Sequence, residues 1–256
     1  FLSQLPNALD VSEVQKREWT AEANFLIAYY HFLILEYYGP CPITDSYIDM
    51  DTPNNEYHGR YHFDYVTSWI SMKLDEAAKD LPASRIGSEW GRATSTIAKA
   101  VKAQLLLLAA SPLFNGNSDY INVKDNQGRH LFPTQVDNSK WKLAADAALE
   151  AINCAKENGH EKLYTFSLPI NSISAATRKL LDIGEAVTEK WNEEIIWGST
   201  RNVNGLQTVA MAKHTKGSHY NARSVLGPTL SVAEAFYSSN GVPISEDNSD
   251  FWTANY

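Results

Sequence analysis

The chain of 256 residues has little cysteine and no long apolar run, and both shortages restrict what it can be. Its two cysteines, Cys41 and Cys154, form neither a disulfide framework nor a set of metal ligands. A single bridge between them stays possible at this stage. No apolar stretch approaches the roughly 20 residues that cross a bilayer, so we expect no membrane-spanning helix. The chain opens without a signal peptide, and we expect any targeting segment or lipid anchor to lie upstream of Phe1.

The sequence also lacks the signature motifs of catalysis. It has no nucleophile elbow, no phosphate-binding loop of the Walker type and no dinucleotide-binding glycine motif after a strand. His58 and His62 are four residues apart, but the glutamate that a metalloprotease helix needs between them is missing, which favours a polar loop. Asp49 and Asp51 resemble part of a calcium loop that no acidic residue closes. We therefore expect no metal and no cofactor, and no motif in the sequence indicates a particular enzymatic reaction.

Acidic charge and aromatic side chains are what the composition offers instead. The formal net charge is −8, which gives no attraction for phosphate backbones, so we expect no nucleic-acid partner. The chain has 13 Tyr and 7 Trp, so large aromatic side chains are plentiful. Such side chains pack cores, but they also present a flat apolar face with a polar tip. Both uses are open from composition alone.

The strongest helical signal lies in residues 91–115, GRATSTIAKAVKAQLLLLAASPLFN. Apolar residues recur there at helical spacing while alanines fill the other faces, which predicts a buried helix packed on several sides. The stripe consists of Ile97, Val101, Leu105 and Leu108. Pro112 has no backbone N–H and disfavours helix at Ser111, so the helix is expected to end there.

Two more helices are predicted before this one. A capping box of Ser12 and Gln15 begins the first, which is apolar almost all round and ends at Gly39. The second is expected to run from an N-cap near Asp64 to Leu81. Its apolar stripe comprises Phe63, Val66, Ile70, Leu74 and Ala77.

The second half of the chain gives weaker signals. A fourth helix is expected to begin near Ser139 and to close at Asn158, and a short fifth one follows an N-cap at Thr229. Ala235 and Phe236 are expected to pack inward from the fifth helix. The face of the fourth helix that is predicted to be buried carries Trp141, Ala145, Ala148, Ile152 and Ala155. Strand signals occur at 194–198 and 207–211, and irregular stretches fill 41–62, 114–138, 198–226 and 240–256.

These segments predict a mostly α fold of irregular, tetratricopeptide-like helical hairpins with long loops and a few short strands. The first helix is expected to pair antiparallel with the second, and the third with the fourth. The spacing does not keep the strict period of about 34 residues that tetratricopeptide repeats have. Loops this long inside a compact domain are commonly functional.

Five blocks of the sequence resemble the SusD/RagB family, the nutrient-binding lipoproteins of the outer membrane of Bacteroidota. The blocks are AEANFLIAYYHF with YYGPCPI, then KLDEAAKDLP, then residues 91–116, then NEEIIW, and last GPTLSVAEAFYSSNGVPI. The matching positions are Ala21, Glu22, Ala23, Tyr29, Tyr30, Phe32, Tyr38, Gly39 and Pro42, then Gly91, Arg92, Ala100, Ala110, Ser111 and Asn115, then Pro228, Thr229, Phe236, Gly241 and Ile244. Ile27 stands where the family often has arginine.

The resemblance implies a non-enzymatic protein at the cell surface that binds an oligosaccharide or another nutrient. It also implies that the protein caps a TonB-dependent (SusC-like) transporter and is held to the outer membrane through an N-terminal lipid anchor not present in this chain. Residues 1–256 would be the N-terminal and central part of a SusD-like domain without its C-terminal part. The first and third helices would then be scaffold, with nearby loops touching the transporter.

Two other functions stay open, and the ligand residues are predicted from the loops. A SusD-like module could bind peptides or proteins instead, and a helical glycoside hydrolase would need two carboxyl groups roughly 5–10 Å apart. We predict ligand contacts where aromatic faces, amides and cations meet in segments without core periodicity. These residues are His219, Tyr220, Asn221 and Arg223 in the 198–226 loop, Trp252 near the end of the chain, and Tyr61 in the 57–62 loop.

Overall fold

The structure is a computed structural model that describes residues 1–53, 56–160, 162–167, 173–200 and 226–247. Helices dominate these residues and no β-strand occurs among them, which confirms the mostly α fold. The chain divides into two compact units, Phe1–Ser199 and Thr200–Tyr256, and each is described by itself. No helix among the described residues is long and apolar enough to cross a membrane.

The first unit opens with α1 (Glu13–Tyr38), which begins and ends as predicted. The Ser12 hydroxyl accepts a hydrogen bond from the Gln15 backbone N–H, and the Gln15 side chain accepts one from the Ser12 N–H. At the other end Gly39 adopts φ 72°, a conformation that favours glycine. Both ends therefore depend on residues within one turn of the boundary, which is why the sequence predicts them.

The next helix, α2 (Phe63–Asp80), is capped by a residue other than the predicted one. His62 is the N-cap, because its ring Nδ1 accepts a hydrogen bond of 3.2 Å from the Asp64 backbone N–H. Asp64 lies inside the first turn and pairs with Lys140 at 2.6 Å. Every residue of the predicted apolar stripe of α2 is buried.

The buried helix expected at 97–110 is α3 (Ser95–Ala110), with Thr94 as its N-cap. The helix stops before Ser111-Pro112, as predicted. Its buried residues include Ile97, Ala98, Val101, Leu105, Ala109 and Ala110, while Leu108 is only half-buried. The α1 helix packs on α2, α2 on α3, and α3 on α4 (Ser139–Glu157), which agrees with successive helical hairpins.

The buried face of α4 differs from the predicted one. Trp141, Ala145 and Ile152 are exposed and Ala148 is half-buried, so of the predicted face only Ala155 is buried. The buried residues of the helix are Ala144, Ala147, Cys154 and Ala155. The reason is close helix packing: Cys154 Sγ approaches Thr96 Oγ1 to 3.5 Å, which a large side chain on that face would prevent. Small residues therefore define this contact, and the larger apolar residues face outward.

One further prediction for the first unit, the strand at 194–198, is wrong. Residues 194–198, predicted as a strand, form an irregular segment with turns, and the partner strand at 207–211 lies outside the described residues. A helix that the sequence analysis did not assign, α5 (Ala175–Thr188), precedes this segment. In the described residues, β-structure is limited to isolated bridges between Lys124 and His130 and between Tyr237 and Pro243.

The described part of the second unit, residues 226–247, contains one short helix, α6 (Leu230–Glu234). Thr229 is its N-cap by position, although its side chain makes no capping hydrogen bond. The expectation that Phe236 packs inward is wrong, since 67% of it is exposed, and Ala235 is exposed as well. A turn follows in which the Ser238 N–H donates to the Val242 carbonyl at 2.8 Å.

The two cysteines are not bridged. Cys41 and Cys154 are both buried and free. Burial raises the pKa of the Cys41 thiol to about 11, because the thiolate would have to be desolvated, so the group stays protonated near neutral pH. Among the residues that the structure describes, no three His, Cys, Asp or Glu side chains gather as a metal site would require.

Candidate functional site

Tyr61 lies beside an open cavity of about 530 Å³ in the first unit. The cavity lining includes His58, Arg60, Tyr61, His62, Tyr65, Asp125, Arg129 and His130. Outside the described residues lie the other predicted ligand residues, His219, Tyr220, Asn221, Arg223 and Trp252. The structure therefore surrounds Tyr61 with residues from two separate segments, 58–65 and 125–131.

Three aromatic rings form one wall of this cavity, which we call the tyrosine shelf: His58, Tyr61 and Tyr65. The centroids of the Tyr61 and Tyr65 rings are 5.3 Å apart with an angle of 30° between the rings. The His58 ring lies 6.3 Å from that of Tyr61. Tyr61 packs partly against the core, whereas 57% of Tyr65 is exposed. The shelf thus presents adjacent aromatic faces to solvent on a supported base.

Backbone hydrogen bonds hold the shelf in place. The Tyr61 N–H donates to the Cys41 carbonyl at 3.1 Å, and the Phe63 N–H donates to the Leu131 carbonyl at 2.9 Å. Beneath the shelf, the Phe63 ring stacks on that of Phe114 with a centroid distance of 4.5 Å. These contacts tie the loop before α2 both to the end of α1 and to the segment around residue 131.

A tight turn held by Asp125 also lines the cavity. Its carboxylate accepts hydrogen bonds from the Gln127 N–H at 2.8 Å, from the Arg129 N–H at 2.9 Å and from Arg129 Nε at 2.6 Å. Gly128 supplies the positive φ of 79° that this turn requires. The backbone N–H of Arg129, and next its guanidinium, hold the pKa of Asp125 below its ordinary value.

Two histidines on the cavity wall have their ring nitrogens set by backbone partners. His130 Nδ1 lies 2.7 Å from the Ile121 carbonyl, which can only accept, so Nδ1 carries the proton and Nε2 is an acceptor in the neutral ring. His62 Nδ1 accepts from a backbone N–H, so its Nε2 is a donor. The two imidazoles therefore offer opposite hydrogen-bonding roles at the same cavity.

The combination of groups suits a polyhydroxylated ligand. Aromatic faces can cover C–H surfaces, and guanidinium and imidazole groups can bind hydroxyls. Of the described residues that line the cavity, Asp125 is the one carboxylate, and the turn already engages both of its oxygens. A glycosidase needs two carboxyl groups across the bond to be cleaved. The described lining therefore offers groups for binding and one carboxyl group, not two.

The hydrogen bonds of Asp125 predict that the stability of the turn at residues 125–129 depends on pH. The pKa of Asp125 is lowered in the folded state, so its hydrogen bonds stabilise the folded turn at pH values above the unfolded-state pKa of about 3.9. This stabilisation of the turn is lost as the pH falls through the folded-state pKa. We expect the amide resonances of Gly128 and Arg129 to stay unchanged from neutral pH down to about pH 4 and to shift below it. Loss of the turn well above that pH, or resonances in Asp125→Asn identical to those of the native protein, would contradict this account.

Sequence reasoning found one wall of this cavity and missed the other. Asp125, Arg129 and His130 were not among the predicted ligand residues, and they lie in a stretch interpreted as an irregular loop. The signal available was the Asp125-x-x-Gly128 pattern, which is typical of a turn. That pattern predicts the turn itself, but its position beside Tyr61 depends on tertiary contacts.

Comparison with known proteins gives matches among solved structures. No family model matches the chain, and no curated protein matches it either. The structure of BT4246 is 40% identical, covers 96% of this chain and superposes with a TM-score of 0.81. A selenomethionine form of BT4246 gives 39% identity and a TM-score of 0.80. A SusD-like protein of Bacteroides fragilis, BF3747, is 28% identical over 43% of this chain, with a TM-score of 0.39.

The helical-hairpin fold agrees with the resemblance of the five sequence blocks to SusD-like proteins. The chain shares the fold of BT4246 over nearly all of the residues of this chain. The chain spans 46% of the length of BT4246. The shared fold therefore covers less than half of BT4246.

Proposed function

We propose that the chain is a non-enzymatic glycan-binding protein and that the tyrosine shelf is a ligand-binding surface. The observation that carries the proposal is the pair of Tyr61 and Tyr65 rings, 5.3 Å apart, on the wall of an open cavity. Arg60, Arg129 and His130 line the same cavity and supply polar groups for hydroxyls. The SusD-like character of the chain supports the same role.

The energetics favour a shallow site of modest affinity. An aromatic stacking contact contributes about 0.5–1.5 kcal/mol beyond the area it buries. Two tyrosines and a few hydrogen bonds on an open surface then suit an extended oligosaccharide better than a small enclosed molecule. A peptide could use the same aromatic surface, so peptides belong in the test as the competing ligand class.

Replacing Tyr65 by alanine tests the shelf. We expect affinity for an oligosaccharide to fall about tenfold, which corresponds to about 1.4 kcal/mol, while the melting temperature changes little because Tyr65 is mostly exposed. The measurement is calorimetric titration of the full chain with a panel of neutral oligosaccharides and short peptides.

Tyr30→Ala is the matched control, since Tyr30 is 58% exposed on α1 and does not line the cavity. It should bind as the native chain does. Equal affinity in the Tyr65→Ala and native chains would remove the shelf from the proposal. Binding of peptides with no binding of sugars would replace the glycan by the alternative ligand class.

The remaining predicted contacts belong to the same proposal. His219, Tyr220, Asn221, Arg223 and Trp252 stay predictions, with the chemistry argued from their sequence. Tyr61 joins them as a ligand residue whose surroundings are now described. The aromatic and guanidinium groups of these residues are of the same kinds as those that line the shelf cavity.

We further propose the cellular setting that the family resemblance implies. The protein would be exposed at the cell surface, held by a lipid anchor at the outer membrane, and would pass its ligand to a TonB-dependent transporter. The proposal that residues 1–256 are the N-terminal and central part of a SusD-like domain has the same basis. The support for these statements is the set of sequence blocks described above.

A further inference from the structure

A second cavity, of about 230 Å³, shares no lining residue with the tyrosine shelf. It lies in the first unit, where the segment before α3 meets the end of α4 and the segment after α5. We call it the indole pocket, after Trp90 and Trp191 in its wall. Neither residue was among the predicted ligand contacts.

The two indoles form a stacked pair that the backbone maintains under strain. The ring centroids of Trp90 and Trp191 are 4.8 Å apart with 23° between the rings. Trp191 adopts φ 60°, a value that bulky residues rarely take and that tends to occur at functional sites. Gly198 leaves room for the ring, since a Cβ there would lie 3.1 Å from Trp191 Cζ3.

Arg85 lines this pocket, and its guanidinium is buried. The residue is only 6% exposed, its Nε donates to the Ala93 carbonyl at 3.2 Å, and its Nη1 pairs with Glu18 and Glu89. Nη2 is buried and makes no hydrogen bond within the described parts of the chain, and Glu22 approaches it only to 3.8 Å. Buried donors are normally hydrogen-bonded, and within the described residues the nearest charged partner of this nitrogen is the Glu22 carboxylate.

Two acceptors line the same pocket. Asn158 donates through Nδ2 to Thr96 Oγ1 at 2.9 Å, which leaves its carbonyl oxygen without a partner among the described residues. His160 Nδ1 donates to the Glu193 carbonyl at 2.8 Å, so Nε2 of the neutral ring is likewise an unused acceptor. The pocket therefore combines an aromatic wall with both kinds of hydrogen-bonding group.

Size and charge narrow the ligand class. The volume is below the roughly 300–1,000 Å³ of pockets for drug-sized ligands, so it suits one small ring. The carboxylates of Glu18, Glu22 and Glu89 surround the two guanidiniums of Arg85 and Arg92, which leaves no excess positive charge for an anion. We infer that the indole pocket binds a single neutral sugar ring, as a monosaccharide or a chain end, independently of the tyrosine shelf.

Titration of the full chain with neutral monosaccharides tests this inference. The probes are glucose, galactose, mannose and N-acetylglucosamine, with glucuronate as the anionic comparison, followed by calorimetry and tryptophan fluorescence. At least one neutral sugar should bind, and Trp90→Ala should weaken that binding at least tenfold. Trp90→Phe keeps a ring and should recover part of the affinity, which separates a ligand contact from a folding defect.

Two controls keep this site separate from the proposed shelf. Trp141→Ala removes an indole that is 46% exposed on α4, away from the pocket, and should bind as the native chain does. Tyr65→Ala should also keep monosaccharide binding, whatever happens to oligosaccharides. The inference is overturned if no neutral monosaccharide binds, if Trp90→Ala binds normally, or if glucuronate binds more tightly than every neutral sugar.

Discussion

Replacing Phe63 by alanine is expected to lower the free energy of unfolding of the first unit by about 3–5 kcal/mol. The Phe63 ring is fully buried and stacks on Phe114 at 4.5 Å and on Phe132 at 6.0 Å. Its loss leaves a cavity between the start of α2 and the segment that carries Leu131. Because Phe63 lies directly beneath the tyrosine shelf, this change also removes support from the ligand-binding surface.

Denaturant unfolding followed by circular dichroism measures this loss. Tyr37→Ala is the control, because Tyr37 also lies on a helix but is 75% exposed, and its removal should change the free energy by no more than about 0.5 kcal/mol. Phe63→Leu keeps most of the buried surface and should cost less than alanine. A loss in Phe63→Ala no larger than that in Tyr37→Ala would show that this aromatic cluster is not the packing centre described here.

The features that the sequence predicted well are those with local causes. The start of α1 depends on Ser12 and Gln15, three residues apart, and the end of α3 depends on Pro112. The stripe of α2 is equally clear, since large apolar residues occupy one face and polar residues the others. In each case the residues that decide the structure are neighbours in the chain, so their spacing is sufficient.

The predictions failed where packing between distant segments decides the outcome. In α4 the predicted face combined Trp141 and Ile152 with three alanines, of which only Ala155 is buried. Packing buries Ala144, Ala147 and Cys154 instead, because small residues allow the helices to approach closely. The apolar run at 194–198 suggested a strand, yet Trp197 is held by a hydrogen bond of 3.0 Å from its indole N–H to the Gly91 carbonyl. Such a partner is far away in the sequence and leaves no local pattern.

The same contrast between local patterns and contacts from distant segments applies to the tyrosine shelf and the indole pocket. Tyr61 could be predicted because its loop is rich in aromatic residues, whereas Asp125 and Arg129 come from another segment that only the fold brings near. Trp90 and Trp191 are about one hundred residues apart in the chain, and their stacking could not be anticipated. Resemblance to a family supplied the fold, but the chemistry of both cavities had to be found from the structure.

Replacing Arg85 by methionine is the second large effect that we expect, a loss of about 3–5 kcal/mol in the free energy of unfolding. The guanidinium has three partners: Glu18 on α1, and Glu89 and the Ala93 carbonyl in the segment before α3. Methionine fills a similar volume but leaves both carboxylates without this cation. Glu18 is largely buried, so water can compensate only in part for the lost partner.

Comparison with an exposed ion pair makes this expectation specific. Lys142 pairs with Asp146 one turn away at 2.8 Å, and 77% of its side chain is exposed, so Lys142→Met should change the free energy by at most about 1 kcal/mol. High salt should reduce the small effect of Lys142→Met and leave most of the effect of Arg85→Met, because a buried pair is poorly screened. Arg85→Lys keeps the charge but cannot reach all of the partners, so an intermediate loss is expected. If Arg85→Met proves no more destabilising than Lys142→Met, the glutamates around Arg85 do not depend on it, and the buried charge cluster is not what joins α1 to the segment before α3.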